Sequence, residues 1–67
     1  MQIEIIKDFG NSLKMICSLK NNRYYVYYYK GNHGQNFVVN EEGRNITRTK
    51  EGIQALINCM NYIFYNT

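Results

Sequence analysis

Apolar side chains occupy every second position between residues 12 and 20: Leu13, Met15, Cys17 and Leu19. A period of two is typical of a β-strand with one covered face. Another strand is predicted before it, from Ile3 to Phe9, because Gly10 and Asn11 both tolerate the positive φ of a tight turn. The first twenty residues therefore predict two consecutive antiparallel strands.

The segment YYVYYY, residues 24–29, favours a third strand, because aromatic and β-branched side chains suit a pleated, half-buried surface. Asn21 and Asn22 lie between it and the second strand and predict a two-residue hairpin turn with positive φ. That turn predicts three opposed pairs on the covered face: Leu19 with Tyr24, Cys17 with Val26, and Met15 with Tyr28.

Alternation along these two strands divides the tyrosines between the two sides of the sheet. Tyr25, Tyr27 and Tyr29 are predicted on the side opposite the covered face. Their neighbours there are Lys14, Ile16, Ser18, Lys20 and Arg23. This side of the sheet is the open face.

The region between residues 36 and 48 contains a short apolar strand, FVV, and an acidic turn centred on Glu42 and Gly43. An extended segment follows at residues 44–47. The pattern fits either one bulged strand or a hairpin, so the sheet has four or five strands.

A helix is predicted after Thr49, which is a suitable N-cap, and Glu51 lies in the first turn, where the helix dipole favours it. One apolar stripe has the spacing of a helix face that covers the sheet: Ile53, Leu56, Ile57, Met60 and Phe64. A second stripe, formed by Ala55, Cys59 and Tyr62, is predicted to contact another copy of the chain.

These elements predict a single α+β domain over residues 1–67, with an antiparallel sheet followed by one C-terminal amphipathic helix packed on one face. A chain of 67 residues buries a small core. The fold is therefore expected to need additional stabilisation, such as formation of a homodimer.

The composition indicates the class of binding partner and the cellular environment that are expected. Eight Lys and Arg residues against five Asp and Glu residues give a net charge of +3, which favours a polyanionic partner. Cys17 and Cys59 lack the spacing of a zinc site, so reduced thiols are expected. The chain has no apolar run long enough to cross a bilayer and no signal-peptide pattern, so a cytoplasmic protein without membrane contact is predicted.

The open face is the strongest candidate site, because aromatic rings can stack on bases while nearby cations hold phosphates. Nine residues are candidates for nucleic-acid contact: Lys14, Lys20, Arg23, Tyr25, Tyr27, Tyr29, Lys30, Arg44 and Arg48. The alternatives are a protein interface, with the tyrosine hydroxyls at its rim, and an ordinary solvated surface.

No constellation typical of catalysis is present. The only histidine, His33, has no partner residue beside it, and there is neither a P-loop nor a visible nucleophile–base pair. Glu4 and Asp8 are predicted on one face of the first strand, where pairing with Lys14 is favoured over a metal site. A non-catalytic protein without cofactor or metal is expected.

Two segments, KDFGNSLKMICSLK and GRNITRTKEGIQALINCM, carry a family resemblance. The first resembles the strand–turn–strand of the positive-cofactor-four-like (whirly-type) single-stranded DNA-binding fold, and the second resembles its last strand and helix. The resemblance implies a homodimer packed through its helices and a sheet that contacts DNA through Lys14, the Tyr25–Tyr29 strand and Arg44. The short loop GNHGQN and Arg48 depart from the family pattern.

The leading hypothesis is therefore a small basic protein that binds single-stranded DNA. Small phage anti-CRISPR proteins also use this architecture, and the size of the chain and its bias to Asn, Lys, Ile and Tyr resemble such proteins. In that alternative, a phage protein acting in its bacterial host binds a defence nuclease or its nucleic acid.

Overall fold

The computed structural model describes residues 2–65, with the side chain of His33 excepted. Its elements follow one another along the chain in the order β1 (Gln2–Asp8), β2 (Ser12–Leu19), β3 (Asn22–Tyr29), a short 3-10 helix (His33–Gln35), β4 (Phe37–Val39) and α1 (Lys50–Tyr65). The four strands form one antiparallel sheet in the order β1-β2-β3-β4, and α1 packs on one side of it. The predicted α+β class and the single C-terminal helix are confirmed.

The β2–β3 turn is one residue earlier than predicted. Lys20 and Asn21 have the positive φ values, 49° and 69°, and Leu19 pairs with Asn22. Cys17 therefore opposes Tyr24, and Met15 opposes Val26, so all three predicted pairings were wrong. The error moves each partner by two positions. Because side chains alternate with a period of two, the paired residues of β2 and β3 stay on their predicted faces, whereas Lys20 lies in the turn and leaves the open face.

β1 contains an irregularity that the sequence analysis missed. The pairing with β2 shifts between Ile5 and Lys7, which leaves Ile6 as an extra residue of a β-bulge. Glu4 and Asp8 were predicted to share a face, and this was wrong. Beyond the bulge, Asp8 is opposite the buried Leu13, whereas Glu4 is opposite Ile16 on the open face.

The segment after β4 is a minimal hairpin and not one bulged strand. The backbone amide of Asn40 donates to the carbonyl of Arg44 at 3.0 Å, and that of Ile46 donates to Val38 at 2.8 Å. These two bonds flank a single bridge between Val39 and Asn45. The sheet therefore has four strands, with one extra bridging position at its edge.

The predicted N-cap of α1 is confirmed. The hydroxyl oxygen of Thr49 accepts a hydrogen bond from the backbone amide of Gly52 at 3.1 Å and donates one to the carbonyl of Ile46 at 2.7 Å. An N-cap of this kind contributes about 1 kcal/mol to stability. Thr49 also ties the start of α1 to the segment that leaves the sheet.

The face of α1 that covers the sheet was predicted only in part, since Leu56 and Met60 pack against the core as expected but the rest of the stripe does not. Ala55 and Cys59 are fully buried in the core, and Gly52 is buried too, whereas Ile53 and Phe64 are 49% and 59% exposed. The covering stripe is displaced by one residue from the predicted one: Gly52, Ala55, Leu56, Cys59, Met60 and Ile63. The face that contacts the sheet thus differs from the predicted face by a rotation of about 100° about the helix axis.

Small residues allow this close packing. A Cβ atom on Gly52 would lie 1.8 Å from the carbonyl oxygen of Ile46, so only glycine fits there. The predicted dimer contact through Ala55 and Cys59 was wrong, because both side chains are buried within their own chain. Tyr62, the third member of that stripe, is 36% exposed.

The core lies between α1 and the covered face. It is formed by ten buried side chains: Leu13, Met15, Cys17, Tyr24, Val26, Tyr28, Val38, Ile46, Ala55 and Cys59. The two cysteines are free thiols, and the Sγ atom of Cys17 accepts a hydrogen bond from the side-chain amide of Asn58 at 3.9 Å. Burial raises the pKa of Cys59 to about 12, and burial also raises the pKa of Cys17, so both are neutral at pH 7.

Candidate nucleic-acid interface

The open face is organised in rows that cross the sheet, because directly opposed residues of antiparallel strands point to the same side. The central row contains one residue from each strand: Lys7, Lys14, Tyr27 and Phe37. A neighbouring row contains Glu4, Ile16, Tyr25 and Val39. In the central row, therefore, the cations lie on β1 and β2 and the aromatic rings lie on β3 and β4.

Tyr27 is covered on both faces of its ring. Its ring centroid is 4.4 Å from that of Phe37, and the two planes differ by only 12°, so the rings are stacked. On the other side, the Nζ atom of Lys14 lies over Tyr27 at 5.5 Å from its centroid. Lys14, Tyr27 and Phe37 form a continuous stack from β2 to β4, and this is the Lys14–Tyr27–Phe37 stack.

The other two open-face tyrosines flank this stack. The Nζ atom of Lys14 also lies over Tyr25, at 6.0 Å from the ring centroid, so one ammonium group contacts two rings. Tyr29 lies on the other side, with its centroid 6.4 Å from that of Phe37 and its plane tilted by 32°. All three predicted tyrosines are half-buried and lie on the face predicted for them.

Two lysines are direct neighbours across β1 and β2. Lys7 and Lys14 are opposed in the sheet, a placement that is unfavourable for like charges. Their ammonium groups diverge, because that of Lys7 lies over the Phe9 ring at 5.2 Å, whereas that of Lys14 lies over the tyrosines. A phosphate between the two lysines would relieve this repulsion.

Carboxylates reduce the free positive charge at both ends of β3. The backbone amide of Arg23 donates a hydrogen bond to Oε1 of Glu41 at 3.1 Å, which brings this carboxylate close to Arg23. At the other end, the Nζ atom of Lys30 forms an exposed ion pair with Asp8 at 3.5 Å. The backbone amide of Gly10 and then Lys30 lower the pKa of Asp8. Lys7 and Lys14 are therefore the cations of the open face best placed for a phosphate.

Three of the predicted contact residues lie away from the open face. Lys20 is in the β2–β3 turn and lines a cleft with Lys50 and Gln54, on the helix side of the sheet. Arg44 precedes Asn45, which is opposed to Val39, so alternation places Arg44 on the helix side as well.

Arg48 lies at the outer edge of β4. It lines a groove of about 460 Å³ together with Phe37 and Asn45, and this is the β4-edge groove. Arg48 is thus separate from the cations of β1 and β2.

The sequence analysis missed Phe37 and Lys7 as members of the site. Phe37 lies in the predicted FVV strand. Its position opposite Tyr27 depends on how β3 pairs with β4, and the loop of residues 30–36 between them does not determine that register. Lys7 reaches the open face only because the bulge at Ile6 changes the alternation of β1. Neither the pairing of Phe37 with Tyr27 nor the bulge at Ile6 can be recognised from the residue pattern.

A second depression lies beside Arg23 and is strongly acidic. It has a volume of about 260 Å³, and its lining includes the carboxylates of Glu41, Glu42 and Glu51. Within residues 2–65, no group of three or more His, Cys, Asp or Glu side chains is arranged to hold a metal ion. The helix in this part of the chain is too short and too polar to cross a bilayer.

Comparison with protein-family models, curated proteins and solved structures finds no match for this chain. The resemblance to the positive-cofactor-four-like fold therefore stays a prediction.

Proposed function

We propose that the open face binds single-stranded nucleic acid without catalysing a reaction, and that DNA is the favoured form. The observation that carries the proposal is the Lys14–Tyr27–Phe37 stack, with Lys7 beside it. Rings that project from a sheet next to cations match the two needs of single-strand binding, base stacking and phosphate neutralisation. A duplex keeps its base faces stacked inside, so it fits this surface less well.

Lys14 has two alternative partners in this mechanism. In the free protein its ammonium lies over the rings of Tyr25 and Tyr27, a contact worth about 0.5–1 kcal/mol at an exposed site. A stacked base is worth about 1–3 kcal/mol, which exceeds that contact. A base can therefore displace the ammonium from the Tyr27 ring, and Lys14 then neutralises a phosphate of the same strand.

The charge of the open face sets the expected salt dependence. Within the described residues, Lys7, Lys14 and Arg23 are its cations, and Glu4 is the carboxylate in the adjacent row. Each phosphate neutralised on a single strand contributes about −0.7 to the slope of log K against log salt. Because carboxylates lie beside Arg23, only Lys7 and Lys14 are counted as phosphate contacts, and two such contacts predict a slope of about −1.4.

Two lysines allow a matched test. Lys14→Gln and Lys20→Gln remove the same charge from adjacent regions, but Lys14 lies on the open face and Lys20 in the helix-side cleft. Fluorescence anisotropy with labelled oligonucleotides of about 12 nucleotides, single-stranded and duplex, measures the affinity at two salt concentrations. We expect Lys14→Gln to weaken single-strand binding and to lower the slope by about 0.7. Lys20→Gln should have a much smaller effect.

Equal effects of the two substitutions would indicate general charge attraction and not a site. Absence of binding to any single strand at low salt, with DNA and RNA both tested, would contradict the proposal. That result would favour a protein partner for the tyrosine surface, such as a defence nuclease.

A further inference from the structure

The β4-edge groove begins where the Lys14–Tyr27–Phe37 stack ends. One face of the Phe37 ring is covered by Tyr27. β4 is the last strand of the sheet, and the segment bonded to its outer edge brings the small polar side chains of Asn45 and Thr47 to the groove. Phe37 lines the groove on that outer side. Phe37 is thus the one aromatic side chain that both belongs to the Lys14–Tyr27–Phe37 stack and lines this groove within the described residues.

The other groups in the groove are suited to a nucleotide. Arg48 is exposed there and carries a planar guanidinium, which binds phosphates through paired donors and also stacks on rings. The Oδ1 atom of Asn45 already accepts hydrogen bonds from the backbone amide and the hydroxyl of Thr47, at 3.0 and 2.6 Å. Its side-chain amide nitrogen is the group that remains for a base edge.

Charge separates this groove from the neighbouring acidic depression. Among the described residues that line the groove, Arg48 is the only charged one. In contrast, Glu41, Glu42 and Glu51 line the depression beside Arg23. A polyanion that leaves the open face is thus repelled near Arg23 and attracted near Arg48.

We propose that the β4-edge groove is a nucleobase pocket, in which a base stacks on the outer face of Phe37 and Arg48 holds an adjacent phosphate. Asn45 donates a hydrogen bond to the base edge. The volume of about 460 Å³ lies within the range of small-ligand sites. This inference rests on the proposed single-strand binding and extends it from the open face to the edge of the sheet.

Two exposed arginines provide the test. Arg48→Gln and Arg44→Gln remove the same charge four positions apart, and only Arg48 lines the groove. Binding of the single-stranded oligonucleotide is measured by anisotropy at several salt concentrations. We expect Arg48→Gln to weaken binding about fivefold to tenfold and to lower the salt slope by about 0.7. Arg44→Gln should leave the slope unchanged.

Phe37→Leu tests the stacking step. It keeps an apolar side chain in β4, and its folded state is checked from the dispersion of its NMR spectrum. Loss of one stacked base predicts an affinity about tenfold lower. Because Phe37 also belongs to the Lys14–Tyr27–Phe37 stack, the arginine comparison decides the pocket. Equal effects of Arg48→Gln and Arg44→Gln would overturn the pocket and leave the proposed function standing, whatever the effect of Phe37→Leu. Absence of oligonucleotide binding by the unsubstituted protein would overturn both.

Discussion

Strand β3 uses the same residue type for two different purposes. Tyr24 and Tyr28 are buried against the helix, with exposed fractions of 8% and 5%, and Val26 between them is fully buried. Tyr25, Tyr27 and Tyr29 are half-buried on the open face, where they contact Lys14 and Phe37. Residue type alone therefore does not distinguish a core tyrosine from a surface tyrosine. The alternation of the strand does.

The largest expected effect comes from truncating one tyrosine on each side of β3. Tyr28→Ala should destabilise the protein by about 3–5 kcal/mol, because it leaves a cavity in the core. Tyr29→Ala should cost less than about 1 kcal/mol, since its ring is half-buried and has only a tilted contact with Phe37.

Chemical denaturation followed by circular dichroism measures both free energies of unfolding. In a domain of this size, Tyr28→Ala removes most of the stability. Similar losses for the two variants would contradict the division of β3 into a buried and an open side.

The helix α1 also has a buried side and an exposed side, but its buried side includes small residues such as Gly52. Gly52→Ala adds a Cβ atom that would meet the carbonyl of Ile46, so we expect a loss of about 1–3 kcal/mol despite the better helix propensity of alanine. Ile53→Ala, one position later, shortens a half-exposed side chain and should cost less than about 1 kcal/mol. Thermal unfolding distinguishes the two outcomes, and a more stable Gly52→Ala variant would contradict this packing.

A further expected effect is a dependence of stability on alkaline pH. The folded state raises the pKa of Cys59 to about 12, from an ordinary value of 9.0. The unfolded chain thus releases its proton first, so stability falls as the pH rises above about 9.

The urea midpoint at about pH 8 and about pH 10.5 measures this loss. Cys59→Ala should show a smaller decrease between the two pH values, whatever its stability at pH 8. An equal decrease in both proteins would show that Cys59 does not contribute.

The strand faces could be predicted because their assignment does not require the exact pairing between strands. The turn of the β2–β3 hairpin was misplaced, yet the error of two positions in the pairing left Met15, Cys17 and Val26 on the covered side. A displacement of one position would have inverted the whole open face. Tyr25, Tyr27 and Tyr29 were therefore placed on the correct face because a register error of two positions does not change which face a residue lies on.

The helix face could not be predicted from hydrophobicity, because size decides the packing. Ile53 and Phe64 are more apolar than Gly52 or Ala55, and a hydrophobic stripe therefore points to the wrong side. Gly52 lies against the backbone of Ile46, and Ala55 and Cys59 are buried in the same core as Tyr24 and Tyr28, so small residues are needed on this side of the helix. This requirement becomes visible only when the two elements are considered together.

The most direct test of the central claim follows side-chain methyl groups during titration with a single-stranded oligonucleotide. Ile16 and Val39 lie on the open face beside Tyr25, whereas Val26 and Val38 are fully buried on the covered face. The account predicts saturable NMR shifts of the Ile16 and Val39 methyl signals, with much smaller changes at Val26 and Val38. Shifts confined to Ile53 and Ile57 of the helix, or no shifts at low salt, would contradict it.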